Sequence, residues 1–197
     1  MRVLTLVLGI GIMLTAACGG GSSSPGGTGG TGGGGSGGSS IPLTGACASL
    51  TCLNPMMNLL MGCQSGGTCT TASAMTGTSV LATSCYSNGV KEQTSMDMSS
   101  ATAPMVMTVK NGSSLCYSMD VSGVSLSGTS GPMTIAIKNG SGALVGTISI
   151  DSTAGTESVT CPGGAATTID DTCGTGATGA QPSVPTTSGC TQGACTF

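Results

Sequence analysis

From Val80 onward, apolar and polar residues alternate with a period of two. Met105, Met107 and Val109 share one face of a segment. Leu115, Tyr117, Met119 and Val121 share a face of the next, and Met133, Ile135 and Ile137, then Leu144, Ile148 and Ile150, repeat the pattern. Such alternation marks half-buried strands. Asn88-Gly89, Asn111-Gly112 and Asn139-Gly140 each fall between such segments. Asn-Gly is a strong signal for a tight hairpin because it tolerates the positive φ angles these turns need. About eight short strands in about 80 residues predict a small antiparallel β-sandwich or barrel. Two echoes support duplicated hairpins: Val109-Lys110-Asn111-Gly112-Ser113 returns as Ile137-Lys138-Asn139-Gly140-Ser141, and Cys85-Tyr86-Ser87 as Cys116-Tyr117-Ser118.

Ahead of the strands the period is helical. Asn54-Pro55 reads as an N-cap with proline at the first helical position, Met56, Met57, Leu59, Leu60 and Met61 form a short apolar run, and Gly62 is a natural stop. A helix of about two turns is not stable alone. Cysteines at 47, 52, 63 and 69 surround it, as a tie to something larger requires. Residues 162–197 return to Gly, Thr, Ser, Pro and Ala and predict an irregular tail carrying cysteines.

The first forty residues change the setting. Met1-Arg2 is a minimal basic start, and Val3 to Leu14 is an apolar run of 12 residues. That is too short to cross a hydrocarbon core of about 30 Å as a helix, and small residues follow at once, as in a secretory signal. Leu14-Thr15-Ala16-Ala17-Cys18 resembles a bacterial lipobox, with Thr15 where that family usually has Leu. The resemblance implies cleavage before Cys18, lipid on its sulfur and attachment to a membrane; Gly19, rather than Asp, in the next position implies sorting to the outer membrane, at its periplasmic face or on the cell surface. Two or three acyl chains make such attachment effectively permanent. Gly19 to Ser40 follows as a tether of 13 Gly, 6 Ser, 2 Thr and 1 Pro. With no side chain large enough to bury, it cannot offset its ordering entropy and is expected to be disordered.

Composition then narrows the chemistry. Of 197 residues, 11 are Cys and 12 Met, charged residues make up 6%, and there is no His and no Trp. Without His there is no Ser-His-Asp triad and no His-ligated zinc. Four basic residues are too few for a nucleic-acid footprint. An exported chain is oxidised, so Cys47, Cys52, Cys63, Cys69, Cys85, Cys116, Cys161, Cys173, Cys190 and Cys195 are candidates for five disulfides that compensate a thin core. Sequence alone leaves their pairing open. Cys47-x4-Cys52 and Cys190-x4-Cys195 have a loosely zinc-like spacing, but no C-x-x-C accompanies them.

Met96-x-Met98 and Met105-x-Met107 resemble the M-x-M elements that hold copper(I), since soft thioethers suit that ion. In a strand the same spacing packs a core, and with little Phe available Met is the remaining bulky filler. Asp170-Asp171 could hold calcium but lacks a regular D-x-D-x-D pattern, and a solvated turn is expected. Lys91 and Glu92 read as an exposed strand pair. A hydrolase would need one of the many Ser or Thr residues with Lys91, Lys110 or Lys138 as base, and no S-x-x-K exists in the mature chain and no G-x-S-x-G beyond the Gly/Ser tether.

The expectation is therefore a mainly β, disulfide-stapled fold. Residues 1–17 are the signal, 18–40 the lipidated Cys and tether, 41–75 a Cys-rich helical module, 76–161 the antiparallel β domain and 162–197 the tail. The whole pattern resembles Gly/Ser-tethered, Cys-rich lipoproteins of myxobacteria-type Gram-negative bacteria, which implies an envelope location and names no activity. The expected function is non-enzymatic binding or structure, with the membrane as partner through Cys18, a possible protein or matrix partner, and no cofactor. The alternatives are a copper- or calcium-handling lipoprotein and a small Ser-dependent hydrolase.

Overall fold

The computed structural model describes residues 43–100, 102–125, 132–170, 173, 191–193, 195 and 197. A 3-10 turn (Gly45–Ser49) and helix α1 (Leu53–Gly62) lead into ten strands: β1 (Cys69–Thr76), β2 (Ser79–Tyr86), β3 (Val90–Asp97), β4 (Thr102–Asn111), β5 (Ser114–Ser125), β6 (Pro132–Asn139), β7 (Leu144–Asp151), β8 (Thr156–Thr160), β9 (Ala166–Ile169) and β10 (Thr191–Gln192). All ten belong to one sheet. Strands β1 to β9 lie in sequence order as an antiparallel meander, and β10 adds parallel to β1 at the far edge.

The chain is thus mainly β and bound by disulfides, as alternation and cysteine count implied. The sheet is not closed: β9 and β10 are its two edges. An open single sheet stands in place of the expected sandwich or barrel. The physical reason is that a period of two reports a buried face without reporting what buries it. Here α1 lies against β5 and β7, and the 3-10 turn lies against β9. The sheet also begins at Cys69, inside the stretch read as the Cys-rich module, and β9 and β10 fall within the stretch read as tail.

Register defines the covered face. Met105 pairs with Val121, Met107 with Met119 and Val109 with Tyr117. The rows continue through Ile135 and Ile137 to Ile148, Gly146 and Val159. All are buried. Gly146 lets the helix settle. A Cβ there would run into the Met56 sulfur and come within 3.3 Å of Cys52 Sγ, and Met56 is only 2% exposed. The other face is rich in hydroxyls, with Ser122, Thr134, Ser149, Ser158 and Thr168 forming one register row across β5 to β9.

The helix starts earlier than its sequence signals suggested. Cys52 takes the N-cap position without a side-chain bond, and Pro55 falls within the first turn. Its missing N–H has no consequence there, because the first amides of a helix lack intrahelical partners; Met56 N is the first to donate, to Cys52 O at 2.9 Å. The two Lys-Asn-Gly-Ser segments also diverge. Gly112, at φ 59°, and Ser113 join β4 to β5 by a two-residue turn, one position later than the Asn-Gly signal, with Asn111 paired to Ser114 as the last residue of β4. The second copy makes a longer loop in which Asn139 Oδ1 accepts hydrogen bonds from the Ser141 and Ala143 amides and the positive φ moves to Gly142.

Four disulfides between described residues fasten the layers. Cys47 joins Cys173, Cys52 joins Cys161, Cys63 joins Cys116 and Cys85 joins Cys195, across sequence separations of 126, 109, 53 and 110. Cys69 is also disulfide-bonded. Cys18 and Cys190 lie outside the described residues. A register shift between Val109 and Lys110 sets Cys116 out of step with its partner strand. Bulges re-aim side chains, and this one coincides with the bond to Cys63 at the end of α1. No helix among the described residues is long and apolar enough to cross a membrane.

Candidate functional site

A polar cluster forms at the β2–β3 end of the covered face. Glu92 is in register with Ser84 on one side and Val109 on the other, and Val109 pairs in turn with Tyr117. Strand alternation therefore separates Lys91 from Glu92, and the exposed strand pair expected from sequence does not form. The Tyr86 hydroxyl donates to Glu92 Oε2 at 3.1 Å. The Ser65 side chain, 4% exposed, hydrogen-bonds both groups.

Burial holds the Glu92 carboxyl above its ordinary range, against the opposing pull of the hydrogen bonds from Tyr86 and Ser65. Burial, reinforced by the nearby Glu92 charge, pushes the Tyr86 phenol up to about 12. The same two causes, with Tyr86 added, push Tyr117 up as well. Both tyrosines come from the repeated Cys-Tyr-Ser element, and the fold brings them to the same carboxylate.

This cluster is closed upon itself. Ser65 is buried, and its hydroxyl is engaged by Tyr86 and Glu92. Glu157, the buried acid among the described residues, stands on β8, five strands or about 24 Å across the sheet from the half-buried Glu92. Facing acid–base carboxylates of a glycosidase need a separation of about 5–9.5 Å. Ser118 stands opposite Lys138 in register, but the Lys138 ammonium is taken by Asp120.

Glu157 is only 8% exposed, and its Oε1 has no hydrogen-bond partner. Desolvation raises its pKa. The folded state therefore holds this proton more tightly than the unfolded chain does. The resulting stability is fully present below the unfolded pKa and is lost as pH rises through the folded one. Glu157→Gln is expected to melt above the wild type at neutral pH, with the gap narrowing as pH falls through the raised folded pKa toward the ordinary carboxylate range. Thermal denaturation across pH 4 to 8 checks this, and a gap that is constant with pH would contradict it.

The remaining candidates separate cleanly. The Cys47 and Cys52 sulfurs are committed to disulfides rather than to a shared metal. Among the described residues no group of three or more His, Cys, Asp or Glu could hold a metal ion. Asp170 accepts a backbone bond from Cys173 N at 3.0 Å, and Asp171 lies outside the described residues. Met105 and Met107 are 3% and 6% exposed and belong to the core, whereas Met96 is half-buried and Met98 is 43% exposed. The Tyr86–Glu92–Ser65 group was missed in sequence, although Val90, Glu92, Thr94 and Met96 share one strand phase and could have revealed it. No protein-family model, curated protein or solved structure matches the chain.

Proposed function

We propose that this chain is a non-enzymatic, lipid-anchored protein of the outer membrane whose disulfide-fastened sheet serves as a binding or structural module. The observation that carries the reading is the inward closure of the polar chemistry. The Tyr86–Glu92–Ser65 group satisfies itself by internal hydrogen bonds, while the broad opposite face offers hydroxyls at regular strand spacing. Such a surface suits contact with a protein or a polar matrix. The lipobox-like segment ending at Cys18 and the Gly/Ser tether supply the anchor and the reach.

Detergent phase partitioning of the expressed full chain tests the anchor. The wild type is expected in the detergent phase with a lipidated Cys18, and Cys18→Ser in the aqueous phase. A wild type that stays aqueous, or a Cys18→Ser chain that stays with membranes, contradicts the reading.

A further inference from the structure

We propose that Met75, Met96 and Met98 form a thioether site for copper(I) at one corner of the sheet. Register places the first two: Met75 pairs with Val80, and Val80 pairs with Met96. Met75 and Met96 therefore occupy the same face with one strand between them, about 10 Å apart at the backbone. Met98 lies one strand phase further along the same face, and its amide donates to Thr78 O at 2.8 Å, which holds it beside the β1–β2 turn. Methionine has three rotatable bonds before its methyl group, so the three sulfurs can converge above Val80.

The packing alternative, which accounts for Met105 and Met107, fails for Met75 and Met98. Met75 is 68% exposed and Met98 is 43% exposed, and neither belongs to the buried cluster. Met96 packs at that cluster's margin, half-buried. Large apolar chains grouped in solvent at one corner contribute little to folding, but they present soft sulfur donors to an ion. The chemistry selects the ion. Thioethers favour soft monovalent copper over hard cations. Asp97, the nearby acid, is tied to Thr78 and Ser99. The cysteines of the described region are disulfide-bonded, which leaves methionine as the soft donor there. The sequence motifs were thus half informative. The Met-x-Met at the end of β3 supplies ligands, that of β4 fills the core, and the third ligand is Met75, far away in sequence.

The test is an anaerobic copper(I) competition against bicinchoninate, using the full chain with any free thiol alkylated. The wild type is expected to withdraw one equivalent. The double variant Met75→Leu/Met98→Leu, nearly volume-conserving, is expected to lose affinity by at least ~10-fold with an unchanged circular dichroism spectrum. Met107→Leu is expected to bind as the wild type does. No withdrawal by the wild type, or undiminished withdrawal by the double variant, overturns the proposal. Either outcome leaves the anchoring reading untouched.

Discussion

Replacing Cys52 and Cys161 together by alanine is expected to lower stability by about 2–5 kcal/mol and the melting temperature by on the order of 10 °C. The bond joins the N-terminus of α1 to the end of β8 across a separation of 109 residues. Long loops are where a crosslink removes the most freedom from the unfolded chain. Three other bonds among the described residues, at separations of 126, 53 and 110, still hold the layers when this one is lost. Full reduction removes them all and is expected to unfold the protein at 37 °C. Circular dichroism melts with and without reductant check both statements, and an unchanged melt after complete reduction would contradict them.

The second large effect concerns the seat of the helix. Met56→Ala is expected to cost about 2–5 kcal/mol, because Met56 is fully buried against Gly146 of β7. Met61 is on the same helix but 42% exposed, and Met61→Ala is expected to stay within about 0.5 kcal/mol. Gly146→Ala is expected to be destabilising as well, by about 1–3 kcal/mol, since its methyl group would enter the space of the Met56 sulfur. Urea denaturation of the three variants gives the ranking. Equal losses for Met56→Ala and Met61→Ala would show that the helix does not pack on this face.

The legible parts of the fold were those with large alternating side chains. Strands β4 to β7 carry Met, Val, Ile and Tyr on one phase, so their existence and facing could be read directly. Strand β1, Cys69–Thr76, is mostly Thr, Ala and Ser and carries almost no hydrophobic contrast. Strand β9 is similar. Both strands are held by neighbours and by disulfides rather than by an apolar stripe of their own. The second layer was illegible for another reason: alternation marks a face for burial equally well whether a sheet or a helix covers it. The short helix was recognised, but its place above β5 and β7 depends on cysteine pairs that spacing does not choose. Glu92 was misread because it was judged with its chain neighbour Lys91, while a strand sends those two residues to opposite faces. Met75 was overlooked because no motif flanks it, and only the register brings it level with Met96.

The claim on which the rest depends is that the cysteines tie the N-terminal module to distant strands and not to itself. Non-reducing digestion of the purified chain with a broad-specificity protease, followed by mass spectrometry of the linked peptides, tests it directly. The expected pairs are Cys47–Cys173, Cys52–Cys161, Cys63–Cys116 and Cys85–Cys195. Bonds within the module, such as Cys47 to Cys52 or Cys63 to Cys69, would contradict it.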